Sequence, residues 1–167
     1  TNVSVTAGPT GFTDASGNAM AIGATDAAQV VDTVNPTVTI TDDQAGVASD
    51  VDNTVLYSFA FNEDVTGFTA DDVTVDSGAI SEFTVTSDAK VYTATYTPTA
   101  DVKDATNVIS VGTGWTDAAG NAPIAATYSS NYEVDTLRPT LSILMSDQDI
   151  KVGDTSIVRF TFSEGPT

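Results

Sequence analysis

Tyr57-Ser58-Phe59-Ala60-Phe61-Asn62-Glu63 alternates aromatic and small side chains for five residues, then ends on two polar ones. Successive side chains of a strand point to opposite faces, so the three rings fall on one side and Ser58 and Ala60 on the other. Leu56 continues the outer face. The stretch reads as a β-strand with one buried face, and the rest of the chain extends the pattern. Val38 and Ile40 precede it on a first strand, with Val73 and Val75 on a third. Phe83 with Val85, then Tyr92, Ala94 and Tyr96, give two more. Ile109 with Val111, then Tyr128, Tyr132 and Val134, complete about seven.

The residues are β-formers, and Asp-, Gly- and Pro-rich turns separate the runs. No stretch carries a convincing 3.6-residue period, so helix is expected to be minimal. Seven short alternating strands in about 100 residues predict an all-β immunoglobulin-like sandwich, with Phe59, Phe61, Tyr92, Tyr96 and Val111 in its core.

The chain also repeats itself at a spacing of 103. Gly11-Phe12-Thr13-Asp14-Ala15-Ser16-Gly17-Asn18-Ala19 returns as Gly114-Trp115-Thr116-Asp117-Ala118-Ala119-Gly120-Asn121-Ala122, and Val31-Asp32-Thr33-Val34-Asn35-Pro36 returns as Val134-Asp135-Thr136-Leu137-Arg138-Pro139. Phe59-Ala60-Phe61-Asn62-Glu63 matches Phe160-Thr161-Phe162-Ser163-Glu164 at a spacing of 101. Fixed-period self-similarity signals an array of modules. Each boundary is set at the proline, which fixes φ and removes a donor before a new strand. Residues 36–138 form the complete unit. Residues 1–35 correspond to the last third of a preceding one, with Thr1-Asn2-Val3 and Ser4-Val5 echoing Thr106-Asn107-Val108 and Ser110-Val111. Residues 139–167 correspond to the opening third of a following one. The chain reads as a window on a longer tandem array, and both partial units are expected to be completed by neighbouring repeats of the same or adjacent chains.

Charge narrows the function. Twenty-three acidic residues, five basic ones and no histidine give a formal charge of −18. That imbalance repels nucleic acid and anionic lipid. No apolar run approaches the ~20 residues of a membrane-spanning helix. Without His or Cys the common nucleophile–base pairs cannot form, and no enzyme is expected. Trp115 aligns with Phe12 in the other copy, which favours a packing role over a sugar-stacking platform. Asp42, Asp43, Asp50 and Asp52 crowd the first long loop and read as solvated charge.

The Thr-Asp-Ala-Ala/Ser-Gly-Asn loop has two compatible readings. It is a turn, with Asp accepting backbone N–H groups and Gly supplying positive φ, and it is a calcium loop, with Asp117 carboxylate and Asn121 carbonyl oxygens at the domain tip. In an immunoglobulin-like sandwich the second strand's end, the loop between the last two strands and the incoming linker meet at one tip. That brings Glu63, Asp117 and Asn121 near Asp32, with Asp71 or Asp72 close behind. Hard oxygen donors converging in this way are costly unless a cation sits among them. The same logic pairs Asp135 with Glu164 at the next junction.

Pro36-Thr37-Val38-Thr39-Ile40-Thr41-Asp42-Asp43, the run Phe61 to Val75, and Trp115-Thr116-Asp117-Ala118-Ala119-Gly120-Asn121 together resemble the bacterial immunoglobulin-like repeats of very large surface and biofilm adhesins. The resemblance spans the whole chain. It implies a secreted, cell-surface tandem stalk that projects a distal binding domain, with structural Ca²⁺ at interdomain junctions. Calcium roles then fall on Asp32, Glu63, Asp117 and Asn121, and on Asp135 and Glu164 at the following junction. Ser163-Glu164-Gly165-Pro166 departs from Asn62-Glu63-Asp64-Val65, marking the last unit as a divergent subtype. Two other hosts remain open: a self-assembling extracellular filament or surface layer, and a spacer or carbohydrate-binding module of a secreted polysaccharide-acting enzyme.

Overall fold

The structure, a computed structural model, describes residues 2–7, 11–20, 24–25, 27–51 and 53–165. The echo at Thr1, the loop acid Asp52 and the substitution at Pro166 lie outside them. Four short strands, β1 (Asn2–Val3), β2 (Thr6–Ala7), β3 (Ala24–Thr25) and β4 (Gln29–Val30), come first. Twelve follow: β5 (Val38–Asp42), β6 (Val47–Ser49), β7 (Val55–Phe61), β8 (Val65–Thr66), β9 (Val73–Thr74), β10 (Ala79–Val85), β11 (Val91–Thr97), β12 (Lys103–Asn107), β13 (Ser110–Val111), β14 (Thr116–Asp117), β15 (Thr127–Tyr128) and β16 (Tyr132–Asp135). A last hairpin pairs β17 (Leu141–Met145) with β18 (Val158–Phe162). The helical content of the described residues is one 3₁₀ turn, Ala70–Asp72, so none of their helices could cross a membrane.

The central unit is an immunoglobulin-like β-sandwich. One sheet runs β10-β11-β7-β5, all antiparallel; against it lie β12-β16-β6, with β16 and β6 parallel, and β15-β13-β9. Alternation along β7 decides which side is dry. Val55, Tyr57, Phe59 and Phe61 are buried while Leu56 and Ala60 face out. Their rings meet the opposite layer, Tyr57 lying 6.4 Å from Tyr132 and Phe61 4.8 Å from Trp115, centroid to centroid. Edge-to-face and tilted pairs of this kind add about 0.5–1.5 kcal/mol each beyond the area they bury.

Of the expected core, Phe59, Phe61, Tyr96 and Val111 are buried, Tyr92 packs half-buried against them, and Trp115 is fully enclosed. Two assignments are corrected. Val85 is 51% exposed: it stands opposite half-buried Tyr92 on the inner side, but at the very end of the edge strand β10. The register shift between Ser81 and Thr84, with Glu82 at a φ of 51°, carries the inward side from Ile80 to Phe83. Tyr128 is 67% exposed, its short strand β15 lying at a sheet edge. The residue the pattern missed is Phe68. It lies outside any strand, yet its ring sits 4.9–6.1 Å from Phe61, Tyr92, Phe83, Phe59 and Trp115.

The flanking segments repeat the central pairings. β17 and β18 set Leu141 opposite Phe162 and Ile143 opposite Phe160, as β5 and β7 set Val38 opposite Phe61 and Ile40 opposite Phe59. β1 and β4 set Val3 opposite Gln29, as β12 and β16 set Asn107 opposite Tyr132. That register aligns Val3 with Asn107 rather than with Val108.

Candidate functional site

Three segments meet at one tip of the central unit, each held there by its own sequence. Pro36 is buried and fixes the linker's entry. On either side of it, Asn35 Nδ2 donates to the Ala122 carbonyl (2.8 Å) and the Thr37 N–H donates to Asn62 Oδ1 (2.7 Å). The Asn62 N–H returns a bond to the Thr37 carbonyl (3.2 Å), so the residue beside Glu63 is tied to the linker. The β8–β14 bridge sets Asp117 opposite Val65, two residues beyond Glu63. As a result, one carboxylate oxygen from each of Asp32, Glu63 and Asp117 lies within 4.8 Å of the others. Asp32 is exposed, Glu63 half-buried and Asp117 buried.

The Asp117 loop builds itself. Asp117 Oδ1 accepts the N–H groups of Ala119 and Asn121, both at 2.8 Å, and Oδ2 accepts the Asn121 side-chain amide at 2.7 Å. The loop at residues 14–18 repeats these bonds. Asp14 Oδ1 accepts Ser16 and Asn18 N–H groups at 2.9 Å, and Oδ2 accepts the Asn18 amide at 2.8 Å. That copy forms while exposed, so the turn is encoded locally. Gly17 and Gly120, at φ of 85° and 93°, supply the left-handed step that L side chains resist. Burial works against the Asp117 charge, but the Asn121 amide and the Asn121, Ala119 and Gly120 N–H groups outweigh it and hold the carboxyl below its usual value. Asp117 is thus a buried carboxylate kept ionised beside two others.

The remaining expected ligands fall elsewhere or play other parts. Asn121 is at the site, but as a brace: its side-chain amide also donates to the Asp32 carbonyl (3.2 Å), and its backbone carbonyl accepts the Asp117 N–H. Asp71 and Asp72 are not in the three-carboxylate group. Asp72 instead caps the 3₁₀ turn, its Oδ2 accepting from the Thr69 N–H (2.9 Å) and hydroxyl (3.2 Å). Its Oδ1 lies so close to Gly114 that a Cβ there would sit 2.5 Å away, so a larger residue at 114 would displace the Asp72 side chain. Asp135 pairs with Lys103, which also lies 3.5 Å from Glu133, and Glu164 is exposed. Sequence reasoning missed Lys103, and likewise Arg138, which pairs with Asp50. It also missed the bracing by Asn35 and Asn62. The Asn-Pro dipeptide at the linker end was the available signal for Asn35.

None of the ion pairs among the described residues involves Asp32, Glu63 or Asp117. Calcium takes oxygen ligands at roughly 2.3–2.6 Å, so oxygens on opposite sides of one ion stand about 4.6–5.2 Å apart. Three carboxylate oxygens within 4.8 Å of one another fit around a single such ion.

A family model described as bacterial Ig-like domain matches residues 32–134, a span that begins at Asp32 in the linker and ends inside β16. No curated protein and no solved structure matches the chain.

Proposed function

The chain belongs to the bacterial Ig-like domain family, whose members are structural modules of extracellular or surface proteins, and from that premise we propose that it is a calcium-stiffened extender in the stalk of a bacterial cell-surface adhesin. The observation that carries the reading is the meeting of Asp32, Glu63 and Asp117. One carboxylate comes from the linker and two from the unit, so an ion among them ties linker to sandwich and removes hinge freedom. The adjacent Asn35–Ala122 and Asn121–Asp32 bonds align the same two parts. They supply the direction, and the cation supplies the stiffness.

In this role the sandwich transmits position rather than chemistry, and its neighbours are further Ig-like units. The test is the extension of the chain by small-angle scattering, with calcium and with chelator. Calcium lengthens and narrows the distance distribution, and Asp32→Ala abolishes the change while the Trp115 emission of the folded core stays the same. An identical distribution with and without calcium rejects the reading.

A further inference from the structure

Every ion pair among the described residues is made by Lys103 or Arg138, and all of them gather where the chain leaves the central unit. The sequence has five basic residues against twenty-three acidic ones, so two of them in one place concentrate a scarce charge. Thr136 sets the point of departure. It is buried, its hydroxyl donates to the Thr99 carbonyl (2.7 Å), and its N–H donates to the Val102 carbonyl (2.8 Å). Charge then pins the residues around it. Asp135 on β16 pairs with Lys103 on β12, which also lies 3.5 Å from Glu133. Arg138 reaches back to Asp50, just past the end of β6. The incoming linker opens with the same local bond: Val34 N–H donates to Asp32 Oδ1 (3.0 Å), as Leu137 N–H donates to Asp135 Oδ1 (3.3 Å). The two aspartates meet opposite company. Asp32 stands among carboxylates, whereas Asp135 meets an ammonium group.

We propose that Lys103 and Arg138 are positioning residues of the outgoing linker, which they hold to the central unit with the protein's own positive charge in the role that a bound cation plays at the incoming linker. Each pair alone is exposed and contributes little to stability. Together they brace one short segment against β12 and the end of β6, so they fix its direction rather than the fold. Salt screens exposed pairs, whereas a chelator has nothing to remove from them. The unit therefore holds its two linkers by different means, one set by divalent cation and the other by ionic strength. That contrast rests on the calcium reading above; the anchoring of the outgoing linker does not.

The test uses the full 167-residue chain, which has no cysteine of its own, spin-labelled through introduced cysteines at exposed positions. Ala60→Cys with Leu137→Cys reports the outgoing linker, and Leu56→Cys with Val34→Cys the incoming one. Electron–electron double resonance gives the width of each distance distribution. The 60–137 distribution is expected to be equally narrow in calcium and in chelator, and to broaden near 1 M sodium chloride, where the screening length falls to about 3 Å. Lys103→Gln with Arg138→Gln shows that broad distribution already at low salt, and Lys103→Arg with Arg138→Lys keeps the narrow one. Trp115 emission confirms that the central unit of each variant is folded. A 60–137 width that chelator increases, or that neither salt nor the paired Gln variant changes, overturns the proposal. A 56–34 width indifferent to chelator, beside a salt-sensitive 60–137 width, supports the anchoring and refutes the calcium reading alone.

Discussion

Phe59→Ala and Phe160→Ala remove the same ring from positions related by the repeat, and the structure assigns them very different costs. Phe59 is fully buried on β7, with ring neighbours Phe68 at 5.7 Å, Tyr57 at 6.4 Å and Phe83 at 6.4 Å. Emptying such a site costs the transfer energy of the ring and leaves a cavity, about 3–5 kcal/mol for Phe→Ala. A domain of this size has a total stability of roughly 5–15 kcal/mol, so the variant is left marginal. At about 2.1 cal/mol/K of unfolding entropy per residue, the loss lowers the melting temperature by about 14–23 °C. Phe160 keeps more than half its surface in solvent, and its removal shifts the same transition by less than about 0.5 kcal/mol in dilute solution. The assay is thermal and urea unfolding followed through Trp115, the single tryptophan, which lies in the core beside Phe61. Equal losses for the two variants would refute the reasoning, because stability would then follow strand propensity rather than the covering layer.

Three further outcomes follow from the same structure. The Asp117 and Asp135 carboxyls are held below their usual 3.8, so the stability they give is complete above that pH and is lost as pH falls through their lower folded values; Asp117→Asn shrinks the acid limb of a stability–pH titration. Burial pushes the Tyr57 phenol up to about 12 and raises Tyr96 and Tyr132 as well, so their contribution is full below pH 10 and is lost as pH rises from there toward 12; phenolate absorbance and unfolding then rise together for these residues. Gly78→Ala places a Cβ 2.3 Å from the Thr97 carbonyl oxygen at a φ of 89° and costs about 2–4 kcal/mol, whereas Gly120→Ala, at a similar φ with open space around it, costs about 1 kcal/mol by chemical denaturation.

The strand pattern was legible wherever one face of a strand is dry along its whole length. β7 is the clearest case, and the match of Trp115 to Phe12 marked a packing position. Legibility failed where tertiary context overrides the period. The bulge in β10 moves the inward side from Ile80 to Phe83, while Val85, on Phe83's side, stays half-open because the edge strand ends there, and Phe68 reaches the core from a turn that no periodicity describes. The flanks show the converse. Phe160 and Phe162 carry a core pattern, but burial needs a second layer that a strand's own sequence does not contain. At the site, Asp32, Glu63 and Asp117 could be grouped because the repeat and the sandwich topology both point to one tip. Asp72 could not be excluded, since its capping of Thr69 is a local matter of side-chain geometry. The pairing of Asp135 with Lys103 joins residues far apart in sequence, and no short motif records it.

The central claim is that Asp32, Glu63 and Asp117 hold a cation that ties the linker to the sandwich, and calcium-dependent melting tests it most directly. Extracellular calcium sites bind with Kd of roughly 10⁻⁴–10⁻³ M. At ~10 mM calcium such a site stabilises the folded unit by about 1.4–2.7 kcal/mol. For a unit of this size that raises the melting temperature by about 6–12 °C over chelator. The account predicts this rise for the native chain and its loss in Asp117→Asn and Asp32→Ala. The same melting temperature for the native chain in calcium and in chelator would contradict it and leave the three acids as solvated tip charge.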